Sequence, residues 1–201
     1  MLITFEGIDG SGKSTQIELL RDKLKKNNQK VSVFREPGGT LVSEKVRELL
    51  LDQNHVIDPV TEALLFSSAR SQLISEVVMP KLERQEIVIL DRFYDSTIAY
   101  QGYGRGSMPI EKLQELSKIA SHGLVPDITF YLKIDIDQSE KRRSNFTRDR
   151  MENSGVEFYR RVIKGFDKLA IQESRFVTID ASRSVKEIEK NIWNLVADQL
   201  K

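Results

Sequence analysis

Short apolar runs alternate along the chain with longer stretches in which apolar residues recur at helical spacing. The runs predict strands at 2–5, 31–34, 87–90, 128–134 and 176–179. The stretches between them predict helices near 14–27, 42–52, 59–84, 110–121, 157–172 and 184–200. Regular alternation of strands and helices is typical of parallel strands covered by helices on both faces. We therefore predict a single α/β domain over residues 1–201, with three layers built around a five-stranded parallel sheet.

Several helix starts are marked by capping residues. Asp58 precedes Pro59, a combination that suits the first turn of a helix. Asp137 and Ser184 are each followed by a glutamate three residues later, as in a capping box. These signals predict that helices begin at these three positions.

Polar segments follow the first three strands and indicate where a ligand binds. In open parallel sheets, ligands bind beyond the carboxyl ends of the strands, near the topological switch point. A glycine-rich segment follows the first strand, "REPGGT" (35–40) the second and "DRFYDSTIAYQG" (91–102) the third, so we expect all three to converge on one cleft. A further irregular segment, "KRRSNFTRDRMENSG" (141–155), is polar, basic and ends in Gly155, which is typical of a mobile lid.

The glycine-rich segment reads "FEGIDGSGKST" (5–15), with Gly7 followed after four residues by Gly12, Lys13 and Ser14. This spacing matches the phosphate-binding pattern G-x-x-x-x-G-K-[ST]. Glycines let backbone N–H groups converge on an anion, and the helix that follows adds the positive end of its dipole. Lys13 can reach the β- and γ-phosphates of a nucleoside triphosphate, and the Ser14 hydroxyl can ligate magnesium. The plainer alternative is a glycine-rich turn that caps an ordinary helix.

Charge and composition narrow the range of partners. The 201 residues carry a formal net charge of +1, so any bound anion, including nucleic acid or an anionic membrane, would require a local cluster of cations. The absence of cysteine excludes disulfides and thiol chemistry and fits a reducing compartment. The chain starts at its first strand without a cationic leader, and no apolar run is long enough to span a bilayer. We expect a cytoplasmic protein that binds neither nucleic acid nor membrane.

Asp91 and Arg92 directly follow the apolar strand 87–90 and supply the next chemical signal. A carboxylate at this place can hold magnesium, directly or through water; the alternative for Asp91 is a turn or a helix cap. The chain offers no activated nucleophile, because serine-elbow and cysteine motifs are absent and His55 and His122 stand alone, as structural histidines usually do. If the acceptor is a nucleoside monophosphate, no activated protein nucleophile is needed, because the second phosphate pKa near ~6 leaves the attacking oxygen ionised at neutral pH.

Arginines are the natural means of bringing two nucleotides together. Phosphoryl transfer between nucleotides requires that two repelling anions be aligned and their charge neutralised, and the planar fork of arginine grips two phosphate oxygens. The candidates are Arg35, Arg47, Arg70 and Arg92 near the cleft, and Arg142, Arg143, Arg148 and Arg150 in the lid segment. A single arginine is more often a solvated surface charge, but so many beside a phosphate loop indicate an anion site. A closing lid would also exclude water.

Four segments, in order along the chain, resemble the thymidylate kinase family: "FEGIDGSGKST", "REPGGT", "LLFSSARSQ" (64–72) and "DRFYDSTIAYQG". The resemblance covers essentially the whole chain, and the run D-R-[FY]-x-x-S-x-x-A-Y-Q-G is similar to the bacterial type. It implies a P-loop kinase fold and transfer of the γ-phosphate of ATP to dTMP, giving dTDP and ADP in dTTP biosynthesis. It also implies Mg²⁺ as cofactor and a homodimer built through helix packing.

The resemblance implies a role for each matching position. The positions for ATP are Gly7, Ile8, Asp9, Gly10, Ser11, Gly12, Lys13, Ser14, Thr15 and, in the lid, Arg148. Magnesium would be placed by Ser14, Asp91 and Asp9. The catalytic positions are Lys13, Arg92, Arg150 and Asp9, with Arg92 bridging the donor and the acceptor.

The positions for dTMP are Asp9, Arg35, Arg47, Phe66, Arg70, Arg92, Thr97, Tyr100 and Gln101. By resemblance, Asp9 contacts the 3′-hydroxyl, and the first two arginines with Arg92 surround the phosphate. Phe66 would stack on thymine, and Arg70, one turn later on the same helix face, would bond its O4; taken alone, Phe66 would be interpreted as core. Thr97 and Gln101 would read the base, and Tyr100 would exclude a 2′-hydroxyl.

Two positions depart from the family pattern. Some members carry arginine at the position of Gly10, and the glycine here leaves that charge to the lid, where Arg150 is the first candidate and Arg148 the second. Thr97 stands where serine or asparagine is usual. A hydroxyl remains available there, while the hydrogen bond that it makes to thymine is left open.

Three alternatives use some of the same signals. Another nucleoside monophosphate or deoxynucleoside kinase would share the fold, but Phe66, Arg70 and "AYQG" (99–102) disfavour it. A GTPase-type switch would carry N-K-x-D and D-x-x-G, yet no asparagine here precedes a lysine and Tyr94 takes the place of the glycine. A nucleic-acid-binding module that uses the basic lid is disfavoured by the acidic residues of the lid and the overall charge.

Overall fold

A computed structural model describes residues 1–143, 150–151 and 154–200. The strands are β1 (Leu2–Glu6), β2 (Val31–Arg35), β3 (Ile87–Asp91), β4 (Ile128–Lys133) and β5 (Phe176–Asp180). They form one fully parallel sheet in the order β2-β3-β1-β4-β5. All five predicted strands are confirmed, and each boundary lies within about one residue of the prediction, well inside the usual uncertainty of such assignments.

Helices connect the strands and cover the sheet. They are α1 (Lys13–Lys26), α2 (Leu41–Leu51), α3 (Pro59–Leu73), α4 (Met79–Glu83), α5 (Tyr94–Thr97), α6 (Ile110–Ala120), α7 (Ile136–Arg143), α8 (Val156–Gln172) and α9 (Val185–Gln199). A π-helical segment, Ile74–Val78, joins α3 to α4, and a second, Ile98–Gly104, extends α5. Among the described residues, no helix combines the length and the apolar character that crossing a bilayer requires.

The predicted cap residues are confirmed at two of the three positions. Asp58 accepts hydrogen bonds from the N–H groups of residues 60 and 61 at the start of α3. Ser184 and Glu187 form a reciprocal capping box at the start of α9. A helix also begins at the third position, but α7 starts at Ile136, so Asp137 lies inside its first turn and not at its N-cap.

Helical structure after β3 was not part of the sequence prediction, which gave only a polar segment there. In α5 and its π-helical extension, consecutive residues such as Ile98, Ala99 and Tyr100 are all buried. A helix buried on every side shows no amphipathic period, so periodicity cannot reveal it. π-Helical turns inside helices are frequent at functional sites, and this segment carries part of the site described below.

Alternate residues of β1 enter two different hydrophobic clusters, as the two-residue period of a strand requires. Ile3 and Phe5 belong to a large cluster that includes apolar residues of α1, α8 and α9. Leu2 belongs to a smaller cluster with Leu73 and Val78, at the end of α3 and in the π-helical segment that follows it. Helices therefore pack against both faces of the sheet, which confirms the predicted three-layer arrangement.

β1 lies at the centre of the sheet, between β3 and β4. Its register pairs Phe5 with Asp91 of β3 and Glu6 with Tyr131 of β4. The segment that leaves β1 therefore emerges directly beside the end of β3. The three polar segments predicted to converge thus follow three adjacent strands, β2, β3 and β1.

Candidate active site

Residues 7–12 connect β1 to α1, where the phosphate-loop pattern predicts the turn. Gly7, Gly10 and Gly12 have φ angles of 134°, 78° and 93°, in the region that favours glycine. A Cβ at Gly7 would also lie 2.6 Å from the carbonyl oxygen of Leu132. Gly12 is the N-cap of α1 and has no side chain with which to cap it. The first N–H groups of the helix are therefore directed at any anion bound in the loop.

The Lys13 side chain folds back over this loop. Its Nζ donates to the carbonyl oxygens of Gly7 and Ile8 at 3.1 and 3.2 Å, and the residue is buried. Burial lowers the pKa of Lys13, an effect to which Arg92 adds and which nearby carboxylates oppose. The ammonium is thus held at the mouth of the loop, where phosphate oxygens could replace the two carbonyl oxygens.

Ser14 and Asp91 meet where α1 begins. The Ser14 hydroxyl donates to Asp91 Oδ2 at 3.3 Å, and Asp91 Oδ1 is buried without a hydrogen-bond partner among the described residues. Within residues 1–143, 150–151 and 154–200, no three acidic or histidine side chains converge as a ready-made metal site. Mg²⁺ fits this sparse donor set, because it keeps several waters and binds proteins through one or two carboxylates together with phosphate oxygens.

Arg92 lies at the junction between the loop and the end of β3. Its backbone φ of 70° is uncommon for a residue with a side chain. Nη2 donates to Asp9 Oδ1 at 2.6 Å, and Nη1 donates to Gly7 O at 2.9 Å and to Ser96 Oγ at 3.2 Å. Burial acts to raise the pKa of Asp9, but Arg92 and Lys13 outweigh it and lower that pKa to about 2. The Asp9 carboxylate is therefore ionised at neutral pH and fixed beside a guanidinium.

A cavity of about 780 Å³ opens over the phosphate loop. Besides the loop residues 9–16, it is lined by Asp91 and by the arginines Arg35, Arg47, Arg92, Arg142, Arg143 and Arg183. Arg142 crosses its edge, with Nη1 donating to Gly10 O at 3.3 Å and Nη2 to Ala181 O at 2.9 Å. Sequence reasoning missed Arg183, whose only signal is its position just after β5.

Arg143, the neighbour of Arg142 in the lid segment, also packs against Gly10. A Cβ at Gly10 would lie 3.1 Å from both Cγ and Cδ of Arg143. The Arg143 side chain therefore occupies the space that a side chain at residue 10 would need. Sequence reasoning named Arg143 among the lid arginines but gave no reason to prefer it.

Arg150, the predicted catalytic arginine of the lid, is not among the described residues that line either cavity of the site. Its Nε donates to Leu50 O at 2.7 Å, and its Nη2 pairs with Glu62 Oε2 at 2.7 Å. Its contact with the transferred phosphoryl group stays a prediction. Arg148, the second candidate and a predicted ATP ligand, lies outside the described residues.

A second cavity of about 110 Å³ adjoins the first and is lined by most of the residues predicted to contact the acceptor. Those residues are Asp9, Arg47, Phe66, Arg70, Arg92, Thr97, Tyr100 and Gln101. Arg35 is the exception, since it lines only the larger cavity and forms a two-pronged ion pair with Glu44 at 3.1 and 3.0 Å. The two cavities share Asp9, Glu36, Arg47 and Arg92, so ligands in the two cavities would meet at these side chains.

Glu36 and Arg70 form a buried ion pair in the wall of the second cavity. Arg70 Nε donates to Glu36 Oε2 at 2.7 Å. Burial raises the pKa of Glu36 to about 7, although Arg70 acts against this. Arg70 Nη1 and Glu36 Oε1 are each buried without a hydrogen-bond partner among the described residues. Since an unsatisfied buried donor is costly, a ligand oxygen that meets Nη1 would be favoured. Sequence reasoning predicted Arg70 here and missed Glu36.

α5 and its π-helical extension place three predicted residues on the cavity wall. Thr97 Oγ1 and the Tyr100 hydroxyl are buried without hydrogen-bond partners among the described residues, and Gln101 Nε2 donates to Glu62 Oε1 at 3.0 Å. The Tyr100 ring packs edge-on against Phe158, with ring centroids 5.9 Å apart. Polar atoms and a rigid aromatic surface thus face the same space.

Glu6 supports this wall from beneath, and sequence reasoning missed it. Its carboxylate accepts from the backbone N–H of Phe93 at 2.8 Å and from Ser96 Oγ at 2.6 Å. Burial, with the neighbouring Asp95 adding to the effect, raises the pKa of Glu6 to about 8. The available signal was an acidic residue at the end of an otherwise apolar strand, "LITFE".

The parallel sheet, the phosphate loop at its central strand and the two cavities that meet at Asp9 and Arg92 define a P-loop kinase fold with room for a donor and an acceptor. The family model described as Thymidylate kinase matches residues 5–192. Curated relatives named thymidylate kinase include proteins from Chlorobium luteolum (48% identical, 100% of this chain and 99% of the relative covered), Chlorobaculum tepidum (47%, 96% and 94%) and Thermoanaerobacter sp. strain X514 (45%, 98% and 98%). The chain belongs to the thymidylate kinase family, and the resemblance seen in its sequence is confirmed.

Proposed function

We propose that this chain is an ATP-dependent dTMP kinase, which transfers the γ-phosphate of ATP to dTMP and gives dTDP and ADP for dTTP synthesis. Membership of the thymidylate kinase family supports this activity. The structural observation that best supports the proposal is that the two cavities adjoin. The phosphate-loop cavity and the cavity lined by Phe66 and Arg70 meet at Asp9 and Arg92.

The donor triphosphate would lie over residues 7–15, with backbone N–H groups and Lys13 Nζ directed at its oxygens. The residues that would hold Mg²⁺ are Ser14 and Asp91, with Asp9 nearby. When bound, the ion neutralises part of the charge that develops on the transferred phosphoryl group. This role is supported by Asp91 Oδ1, which is buried and has no hydrogen-bond partner in the described part of the chain.

The acceptor would occupy the second cavity, with its base against Phe66 and within reach of Arg70, Thr97 and Gln101. Tyr100 would lie against the sugar and leave no room for a 2′-hydroxyl. The phosphate would then point to the junction, where Arg92 and Arg47 line the wall and Arg35 lies on the side of the larger cavity. This placement brings the acceptor oxygen to the end of the donor triphosphate.

The chemistry needs alignment more than proton transfer. The acceptor phosphate is largely a dianion at neutral pH, because its second pKa is about 6, so the attacking oxygen carries its charge already. Arg92 would neutralise charge as the phosphoryl group passes, and Asp9 holds the Arg92 guanidinium in place at 2.6 Å. The lid segment, about 141–155, would close over the junction and exclude water.

A homodimer is also part of the proposal. α2 and α3 pack against each other and present apolar side chains to solvent, with Leu49 48% and Leu64 47% exposed. Apolar side chains on two adjacent helices suit packing against the same helices of a second copy.

A coupled ADP-release assay across dTMP, dUMP, dCMP, dGMP and AMP, run with ATP and with GTP, tests the activity. We expect the highest kcat/KM for dTMP with ATP. The Lys13→Ala variant, purified in parallel, reports any contaminating kinase and should show a kcat lower by about 10²–10³-fold, the usual effect of removing a charge-stabilising group. ADP release that is absent with every acceptor contradicts the kinase assignment, and a preference for another monophosphate contradicts the acceptor.

A further inference from the structure

The carboxylate of Glu62 lies on α3, behind the acceptor cavity, and is not among the described residues that line that cavity. Its side chain is 1% exposed. Oε1 accepts from Gln101 Nε2 at 3.0 Å and from Arg105 Nε at 3.4 Å, whereas Oε2 pairs with Arg150 Nη2 at 2.7 Å. One buried carboxylate therefore joins the base-facing π-helical segment to the described end of the lid segment.

The contact with Glu62 determines which end of the Gln101 amide faces the cavity. A carboxylate paired with two guanidinium groups only accepts hydrogen bonds, so Gln101 must turn its NH₂ towards Glu62. The acceptor Oε1 is then the end available to a ligand in the cavity. An amide without such a partner can present either its donor or its acceptor, because the two ends have nearly the same shape.

A fixed acceptor at this wall selects between pyrimidines. Thymine and uracil carry a hydrogen on ring nitrogen N3, which would donate to Gln101 Oε1. The N3 atom of cytosine is itself an acceptor and would oppose that oxygen. With Oε1 facing the base, N3 of thymine or uracil finds a hydrogen-bond acceptor, whereas N3 of cytosine faces a second acceptor. Two buried acceptors that face each other without a donor are costly.

Arg105 extends the same network to the lid segment. Its Nη2 donates to Ser154 Oγ at 2.9 Å and contacts Met151 Sδ at 3.7 Å. Met151 also lines the acceptor cavity. The residues that anchor this end of the lid segment are therefore tied, through Arg105 and Arg150, to the carboxylate that orients Gln101.

We propose that Glu62 is a positioning residue with two effects. It fixes the Gln101 amide so that the cavity selects a pyrimidine with a protonated N3, and it holds the lid segment at Arg150 beside the same cavity. Glu62 acts through these side chains and does not touch the substrate. The proposal rests on the proposed function, since it assumes that the base faces Gln101.

The first test is nucleotide selectivity measured at equilibrium. Glu62→Gln keeps the shape of the side chain but lets it donate, so the Gln101 amide is free to turn. Calorimetric titration of the full chain gives Kd for dTMP and for dCMP. The ratio of Kd for dCMP to Kd for dTMP should fall on the order of tenfold in the variant, which corresponds to the loss of one buried hydrogen bond. Gln101→Met should lower the ratio likewise, and adding Glu62→Gln to it should change the ratio no further.

If the Kd ratio in Glu62→Gln is unchanged, including the case in which binding of both nucleotides weakens equally, the selectivity role is overturned and Glu62 has only a structural role. If the wild-type chain fails to bind dTMP at all, the proposed function itself fails. The two failures are therefore distinguishable in one set of titrations.

The second test is the rate of tryptic cleavage after Arg150, followed by mass spectrometry without any nucleotide. Cleavage should be several-fold faster in Glu62→Gln than in the wild type. Glu48→Gln, which removes the same charge from an exposed ion pair on α2, should leave the rate unchanged. Arg105→Gln leaves Glu62 and Gln101 in place, so it should accelerate the cleavage while the Kd ratio stays at the wild-type value. Wild-type rates in both Glu62→Gln and Arg105→Gln would overturn the lid role.

Discussion

Two buried carboxylates make the stability of this protein depend on pH in a defined direction. Burial raises the pKa of Glu6 to about 8 and that of Glu36 to about 7, from a value of 4.5. The unfolded chain therefore releases these two protons at a lower pH than the folded chain does. Stability falls with rising pH wherever the folded state binds more protons. The free energy of unfolding should thus decline from pH 4.5 up to about pH 8.

Urea titrations across this pH window measure that decline. Glu6→Gln and Glu36→Gln should each flatten it, while Glu48→Gln, at an exposed position, should not. Asp9 acts in the opposite sense, because its pKa is lowered to about 2 from 3.8 and its contribution is lost only as the pH falls through that range. An equally steep decline in both buried variants would show that other groups control the pH dependence.

Tyr100 is the residue at which sugar selectivity can be tested. Tyr100→Ala removes the ring that is proposed to crowd the position of a 2′-hydroxyl, so use of the ribonucleotide should improve relative to dTMP. The ring also packs against Phe158, and truncating a buried aromatic side chain costs about 3–5 kcal/mol of stability. The readout is therefore the ratio of the two kcat/KM values, which does not depend on how much of the enzyme is folded.

Phe158→Ala is the matched control for Tyr100→Ala. Phe158 belongs to the same aromatic cluster but is not among the described residues that line the acceptor cavity. It should lose a similar amount of stability and keep the sugar preference of the wild type. A preference that is unchanged in Tyr100→Ala would remove the proposed role.

At the scale of elements, the contact between α8 and the π-helical segment Ile98–Gly104 depends on small residues. A Cβ at Gly165 on α8 would lie 2.7 Å from Tyr103 Cδ2, a distance that real contacts almost never show. Gly165→Ala would improve helix propensity by roughly 1 kcal/mol, but the overlap with an aromatic ring should outweigh this gain and destabilise the protein by about 1–3 kcal/mol.

Urea unfolding of Gly165→Ala measures this destabilisation. Lys164→Ala, one residue earlier and exposed, should change the free energy of unfolding by less than about 0.5 kcal/mol. A Gly165→Ala variant as stable as the wild type would show that Tyr103 can move aside, and that the close packing seen here is not required.

Elements with a regular period were predictable, and elements without one were not. The strands were predicted from short apolar runs, and the long helices from helical spacing and from caps such as Ser184 with Glu187. Most residues of α5 and of its π-helical extension are buried in succession, so these segments give no such period. The residues predicted to bind phosphate form a compact motif in the sequence. Glu36 and Glu62, in contrast, contact partners that are 34 and 39 positions away, and no local sequence pattern predicts such pairs.

At the scale of the whole molecule, the exposed apolar side chains of α2 and α3 predict self-association. Light scattering should give twice the chain mass for the wild type. Leu64→Glu places a charge in the middle of this face and should shift the protein towards the monomer, since an unpaired charge is costly to bury in an interface. Leu195→Glu, at an exposed apolar position on α9, should leave the mass unchanged. A monomeric wild type would contradict the proposed dimer.

The left-handed backbone at Arg92 has a consequence for how freely this position can vary. Its φ of 70° suits glycine, asparagine or aspartate, none of which carries a cation. Lysine would restore the charge but not the fork that reaches Asp9, Gly7 and Ser96 together. A saturation library at this position should therefore contain almost no active variants. Each of the nineteen replacements would lose either the left-handed backbone conformation, the guanidinium contacts or both.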